Sequence, residues 1–285
     1  MTRWPADYAG DHTIADEVEL AGVGLHSGEP CRLRLLPSTG TGYRLGWLDQ
    51  PAAAALPLDP HQVCETTLCT ALRVCGRRLA TVEHLLAALA GTGVSRVEIR
   101  AEGPEVPLLD GSALPWVEAI ASAGLQPLPS PAHRPVLQRP VTVHGGGGFV
   151  TALPAAQLHL GAAIEFTEPA IGRQVFSLAL TPAAFVAQIA PARTFGLRSQ
   201  VEQLRAAGLI RGGALDNALV CDGPRWLNPP LRYADEPVRH KILDLLGDLA
   251  LVGLPRAQVF AFRGSHRLHT ALAAALAAEP APLPA

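Results

Sequence analysis

Five of the fifteen residues from Gln126 to Pro140 (QPLPSPAHRPVLQRP) are proline. Proline fixes φ and has no N–H to donate, so this stretch cannot be a helix interior or a central strand. In a chain of 285 residues, a break near the middle predicts two folded parts of ordinary domain size, residues 1–127 and 128–285. Both parts mix strand and helix patterns. Before the break, Cys31-Arg-Leu-Arg-Leu35 alternates as a strand, Thr81 to Leu89 reads as a short buried helix with Thr81 as its cap and Gly91 past its end, and Ser112 to Ala123 reads as a helix stopped by Gly124. After it, Val141 to Leu153 suits a hairpin, Leu158 to Phe166 and Ala257 to Phe262 suit strands, and Pro182 to Ile189 and Val238 to Leu251 suit helices. The fold class expected is α+β. No internal sequence repeat is visible.

Composition narrows the function by exclusion. With 48% apolar and 17% charged residues the chain can bury a core, which rules out disorder as its main state. A formal charge of -2 and no basic stripe argue against a nucleic-acid partner, because phosphate binding scales with clustered Lys and Arg. No apolar run reaches the roughly 18 residues of a membrane span, and no basic-then-apolar leader opens the chain. A soluble cytoplasmic monomer without stable membrane insertion is the expectation. The five cysteines are odd in number and contain no CxxC, so they read mostly as buried thiols.

Three segments could carry chemistry. In Arg239-His-Lys-Ile-Leu-Asp244, helical geometry stacks His240 and Asp244 on one face, and Asp248 extends the stripe. An imidazole and a carboxylate at that spacing can supply two ligands to one divalent metal; the competing reading is a solvated salt-bridging face. Glu83-His84 opens the other His-bearing helix, where one residue could bind an ion and its neighbour take a proton, or the histidine could simply cap the helix. Lys241 sharpens the choice, for it is the one lysine in a chain that otherwise uses arginine, and a compact ammonium acts as a point charge. The third segment is Gly264-Ser-His266, a loop histidine suited to acid catalysis, with His269 as its rival. Thr194, in Ala192-Arg-Thr-Phe-Gly196, could donate to a reacting oxygen or sit in an ordinary turn. Two glycine-rich segments are discounted: Gly22 to Gly28 leads into a strand instead of a helix, and Gly145 to Gly148 lacks the Lys-Ser/Thr of a phosphate loop.

Taken together, the residues bear a family resemblance. Gly22-Val-Gly-Leu-His-Ser-Gly28, Thr66-Thr-Leu-Cys-Thr70, Thr81-Val-Glu-His-Leu85, Pro104-Glu-Val-Pro-Leu-Leu-Asp-Gly-Ser112, Ala192-Arg-Thr-Phe-Gly196, Gly212-Gly213 with Asp216-Asn217, and Val238-Arg-His-Lys-Ile-Leu-Asp244 with Gly247-Asp248 occur in order. The chain thereby resembles the zinc-dependent UDP-3-O-acyl-N-acetylglucosamine deacetylases of lipid A synthesis in Gram-negative bacteria.

The resemblance implies two similar α+β halves, each a small sheet layered with helices, with the helices sandwiched between the sheets and the active site where the halves meet. It implies Zn2+ (Fe2+ as the alternative) on His84, His240 and Asp244, Glu83 as general base, His266 as the cationic partner of the leaving amine, and Asp248 as its orienting carboxylate. Thr194 and Lys241 would face the oxyanion and the UDP-acyl amino-sugar substrate together with Phe195. An insert at about 198–221 would form the acyl passage, lined by Val201, Leu204, Leu209 and Ile210, with Leu197 where relatives often carry a second aromatic. The segment departs from the family pattern at Ser265 and His269, where Gly and Asn are expected, and residues 1–20 have no assigned role. A zinc amidohydrolase of another acylated amino sugar and a non-enzymatic RNA-binding module are the competing functions.

Overall fold

The computed structural model describes residues 4–131 and 134–278. The first half runs β1 (Gly10–Ile14), β2 (Val18–Val23), β3 (Pro30–Leu36), β4 (Tyr43–Trp47), β5 (Leu56–Pro57), β6 (Val63–Glu65), β7 (Ala71–Val74), β8 (Arg77–Leu79), α1 (Glu83–Thr92), β9 (Val97–Glu102), α2 (Leu114–Ala123) and β10 (Leu125–Pro131). The second runs β11 (Val141–Gly145), β12 (Gly148–Pro154), β13 (His159–Glu165), β14 (Arg173–Ala179), α3 (Pro182–Gln188), β15 (Phe195–Leu197), α4 (Arg198–Ala206), β16 (Leu219–Asp222), β17 (Arg225–Trp226), α5 (Glu236–Leu249), β18 (Ala257–Phe262) and α6 (His266–Ala277).

The halves repeat one topology that the sequence does not repeat. Each holds a five-stranded sheet, ordered β2-β3-β9-β4-β5 in the first and β11-β12-β18-β13-β14 in the second. In each, the last strand enters the middle, antiparallel to the second (β9 on β3, β18 on β12) and parallel to the third (β9 on β4, β18 on β13). A parallel pair needs a long crossover, and α1 and α5 lie within those crossovers. Each half also carries a small three-stranded sheet between its fourth strand and its crossover helix: β6-β7-β8 in one, β15-β16-β17 in the other. Alternation explains the strands: in β3, Leu33 and Leu35 are buried while Arg32 and Arg34 face out to Glu19 and Glu102. One apolar cluster joins both sheets to the helices, through Leu33, Ile99, Leu85 and Leu89 on one side and Val150, Val259, Ile242 and Leu246 on the other. The α+β expectation holds.

Local readings needed correction in four places. Thr81 does not cap α1: Val82 holds the cap position without a side-chain bond, and Thr81, with φ of 56°, turns its hydroxyl to Glu105 Oε1 at 2.6 Å. Gly91 does not end the helix. It sits inside, because a Cβ there would lie 2.4 Å from the Phe185 ring, and Gly93 ends α1 in the left-handed region at φ 89°. The proline-rich stretch opens as β10, which crosses the 127/128 position and pairs with β1, an edge pairing that tolerates proline. That pairing also puts part of the leading segment into the fold. Finally, His266 is not in a loop: it opens α6, whose Ser265 side chain accepts from the Leu268 N–H as an N-cap. All five cysteines are free, with Cys31, Cys69 and Cys221 buried and Cys64 and Cys75 exposed. Among the described residues, no helix is long and apolar enough to cross a membrane.

Candidate metal centre and catalytic cleft

The two crossover helices meet face to face at the seam of the halves, and α1 approaches α5 at its first turn. Gly247 makes this approach possible, since a Cβ at that position would lie 2.0 Å from the Glu83 carbonyl oxygen. The approach sets Glu83 and His84 against the stripe His240, Asp244 and Asp248, so side chains from distant parts of the chain share one buried site. His84 Nε2 lies 3.8 Å and His240 Nε2 3.3 Å from Asp244 Oδ1, and the two rings meet edge-on with centroids 4.9 Å apart. One ligand atom from each of the three side chains falls within 4.8 Å of the others.

The donor set suits a divalent cation. Asp244 Oδ1 is buried without a hydrogen-bond partner, a state that costs free energy unless something positive completes it. His240 Nδ1 lies 3.0 Å from the Ala192 carbonyl; donating its proton there leaves a lone pair on Nε2, on the side of Asp244. Burial lowers the His240 pKa and, with the neighbouring His240 ring, takes that of His84 down to about 3, so both imidazoles are neutral and able to ligate. Burial alone would raise the Asp244 carboxyl, but Lys241 and the histidines outweigh it and hold the group well below the usual carboxylate range. Lys241 does this directly, through Nζ at 2.8 Å from Asp244 Oδ2.

Beside this cluster lies a second pair. Burial pushes the Glu83 carboxyl up to about 8 against the pull of His266, and Glu83 Oε2 accepts the Thr70 N–H at 3.0 Å. His266 Nε2 stands 4.0 Å from Glu83 Oε1, and its Nδ1 lies 3.0 Å from Asp248 Oδ2. Burial works against its charge, yet Asp248 and Glu83 raise it to about 9, so it is cationic at neutral pH. His269 Nδ1 reaches the same Asp248 oxygen at 3.0 Å, but its ring lies under Gly264 and is not part of the cleft wall. His266, not His269, faces the cleft.

The cleft has a volume of about 260 Å³. Glu83, His84, His240, Lys241, Asp244 and His266 line it, as do Thr194, Phe195 and Leu197. The loop bearing Thr194 is clamped by Arg193, whose side chain and N–H both bind the buried Glu236 at the start of α5. Val201, Leu204, Leu209 and Ile210 lie elsewhere: they are half-buried on the insert, none of them lines this cleft, and Gln200 does instead. The insert is tied to the first half by backbone bonds from Gly212 N–H to Leu25 O at 3.0 Å and from Arg211 N–H to His26 O. The glycine-rich turn Gly22 to Gly28, which is no dinucleotide-binding loop, thus serves to anchor the insert. Two features of the cleft had no sequence signal of their own. His26 faces it with both ring nitrogens buried and unpartnered, and Glu105, which accepts from Thr81, Ser27 and the His26 N–H, braces the turn beneath.

Comparison with known proteins agrees with this geometry. A family profile described as UDP-3-O-acyl N-acetylglycosamine deacetylase matches residues 11–278. The chain is 50% identical over 267 residues to a UDP-3-O-acyl-N-acetylglucosamine deacetylase of Thermosynechococcus vestitus, covering 93% of each chain. Similar proteins of that name occur in Nostoc sp. (48% identity; 92% of this chain, 96% of the relative) and Anaeromyxobacter sp. (38%; 98% of this chain, 91% of the relative).

Proposed function

The chain belongs to the UDP-3-O-acyl-N-acetylglucosamine deacetylase family, and on that premise we propose that it hydrolyses the N-acetyl group of UDP-3-O-acyl-N-acetylglucosamine, giving the free amine and acetate. The observation that carries the proposal is the meeting of two neutral imidazoles and an unpartnered carboxylate oxygen beside a buried Glu–His pair. The reaction would serve lipid A synthesis in the cytoplasm, carried out by a monomer of two units that divide within the proline-rich stretch, a few residues past 127/128 because β10 still pairs with β1.

His84, His240 and Asp244 would hold zinc, with iron(II) as the alternative. Such an ion, when bound, supplies a Lewis acid for the amide carbonyl and lowers the pKa of water toward neutrality. The protein's own groups handle protons and orientation. Glu83, acting from its ionised form, takes the proton of the attacking water, and its raised pKa makes that carboxylate a stronger base than an ordinary one. The Thr194 hydroxyl donates to the developing oxyanion, and Lys241, anchored on Asp244, faces the substrate. Cleavage of the C–N bond requires a proton on nitrogen. Either His266, kept cationic by Asp248, delivers it, or Glu83 returns the one it took. Phe195 and Leu197 would open the acyl passage that Val201, Leu204, Leu209 and Ile210 continue along the insert.

Acetate release from the acylated UDP-sugar, measured before chelation, after it, and after Zn2+ is restored, tests the proposal. Loss and recovery are expected, together with much slower turnover of unacylated UDP-N-acetylglucosamine. Activity that survives both chelation and His84→Ala would end it.

A further inference from the structure

We infer that Thr70 is a positioning residue for the reaction, a single side chain and its own amide fixing the base of one half and the acid-holding carboxylate of the other. The inference rests on the deacetylase reading for the roles of Glu83 and His266.

Thr70 is fully buried and immediately precedes β7. Three of its groups are engaged at once. Its N–H donates to Glu83 Oε2 at 3.0 Å, its carbonyl accepts from the Val82 N–H at 3.2 Å, and its hydroxyl donates to Asp248 Oδ1 at 2.5 Å, across 178 residues of sequence. The first two hold the opening of α1, where Glu83 and His84 sit. The third reaches into α5.

Asp248 is fully buried and receives groups on both oxygens: the Thr70 hydroxyl on Oδ1, and the Nδ1 atoms of His266 and His269 on Oδ2. A carboxylate held at one oxygen alone can turn about its last bond. The Thr70 hydroxyl fixes the plane of the group, and with it the direction in which His266 Nε2 points toward Glu83 Oε1. Catalytic groups misplaced by about an ångström lose large factors in rate, so a donor that never touches substrate can still govern turnover. A burial role alone would be met by valine, which has the shape of threonine and no hydroxyl.

The test compares Thr70→Val with Thr70→Ser in the metal-loaded enzyme, and each again in a His266→Ala background. Thr70→Val is expected to lower kcat about tenfold, the effect of one hydrogen bond to a charged group, with KM within about twofold. Thr70→Ser should restore most of the rate. In the His266→Ala background the Thr70→Val effect should shrink to less than about twofold, since the path through the imidazole is gone. The imidazole 15N and Nδ1-proton NMR signals of His266 provide a readout independent of turnover: they should move in Thr70→Val and return in Thr70→Ser. Should Thr70→Val fail to fold, Thr70→Ala takes its place in the same comparison. Unmoved His266 signals, an undiminished kcat in Thr70→Val, or an equal loss with and without His266 would each overturn the inference. A wild-type enzyme without deacetylase activity would instead defeat the functional reading, and the NMR comparison would still decide the role of Thr70.

Discussion

The two halves share a sheet order and a crossover helix but carry unequal shares of the chemistry. In the first, α1 brings Glu83 and His84 at its opening turn, and α2 begins with Leu114 behind an Ala113 cap that makes no side-chain bond. In the second, α5 brings His240, Lys241, Asp244 and Asp248, and its partner α6 opens with His266 behind a Ser265 cap. A repeated scaffold therefore supplies two facing helices, and the His84, His240 and Asp244 cluster forms only where they meet, with one of the proposed ligands from one half and two from the other. Neither half alone holds the His84, His240 and Asp244 cluster or the Glu83–His266 pair.

This division can be broken most severely at the proposed ligands. Asp244→Ala removes the carboxylate shared by His84, His240 and Lys241, and it should abolish both metal retention and acetate release, as metal analysis and assay on one preparation would register. Glu83→Gln should separate the two functions. Metal content should stay at the wild-type level while kcat/KM falls by about 10²–10⁴, the usual contribution of positioned proton transfer; loss of metal in this variant would mean that Glu83 belongs to the ligand set. The seam between the halves is the next target. Gly247→Ala places a methyl where the Glu83 carbonyl stands, and it should destabilise the fold by about 1–3 kcal/mol, as overpacking does, with a lower Tm and lower activity.

His266 in the second half offers a finer test. His266 is raised from 6.5 to about 9 chiefly by Asp248, after burial opposes its charge. Its cationic form contributes stability that is complete below the unfolded value and is lost as pH rises through about 9. Activity that needs the cation should fall through the same range, and Asp248→Asn should move that alkaline limb downward in a kcat/KM profile. A limb that stays in place would remove His266 from the proton path. The smallest effect is expected at Leu197 in the cleft lining: Leu197→Phe should alter the preference between acyl lengths by about 10-fold or less, roughly the value of a methylene or two in an apolar pocket.

Much of this arrangement was legible in the sequence, and the failures have common physical causes. Period and punctuation identified the hairpin of β11 and β12, the β18 strand and the helices α2, α3 and α5, because each has its own apolar pattern and local stop. The His240–Asp244 spacing and the Glu83-His84 pair were legible for the same reason. Features set by tertiary contact were not. Thr81 looks like a cap until Glu105 takes its hydroxyl, and Gly91 looks like a stop until Phe185 fills the space above it. The duplication of topology was implied by the family resemblance alone and is invisible in the residue patterns, because the two sheets share connectivity without sharing residues. Thr70, His26 and Glu105 lacked any signal beyond membership in a motif, since what singles them out is whom they touch across the seam.

The central claim is that His84 of one half and His240 and Asp244 of the other close on one ion. Calorimetric titration of the chelator-stripped protein with Zn2+ tests it most directly. Binding of one ion per chain, lost in both His84→Ala and Asp244→Ala, is the result expected; binding of wild-type strength in the His84→Ala protein would contradict it.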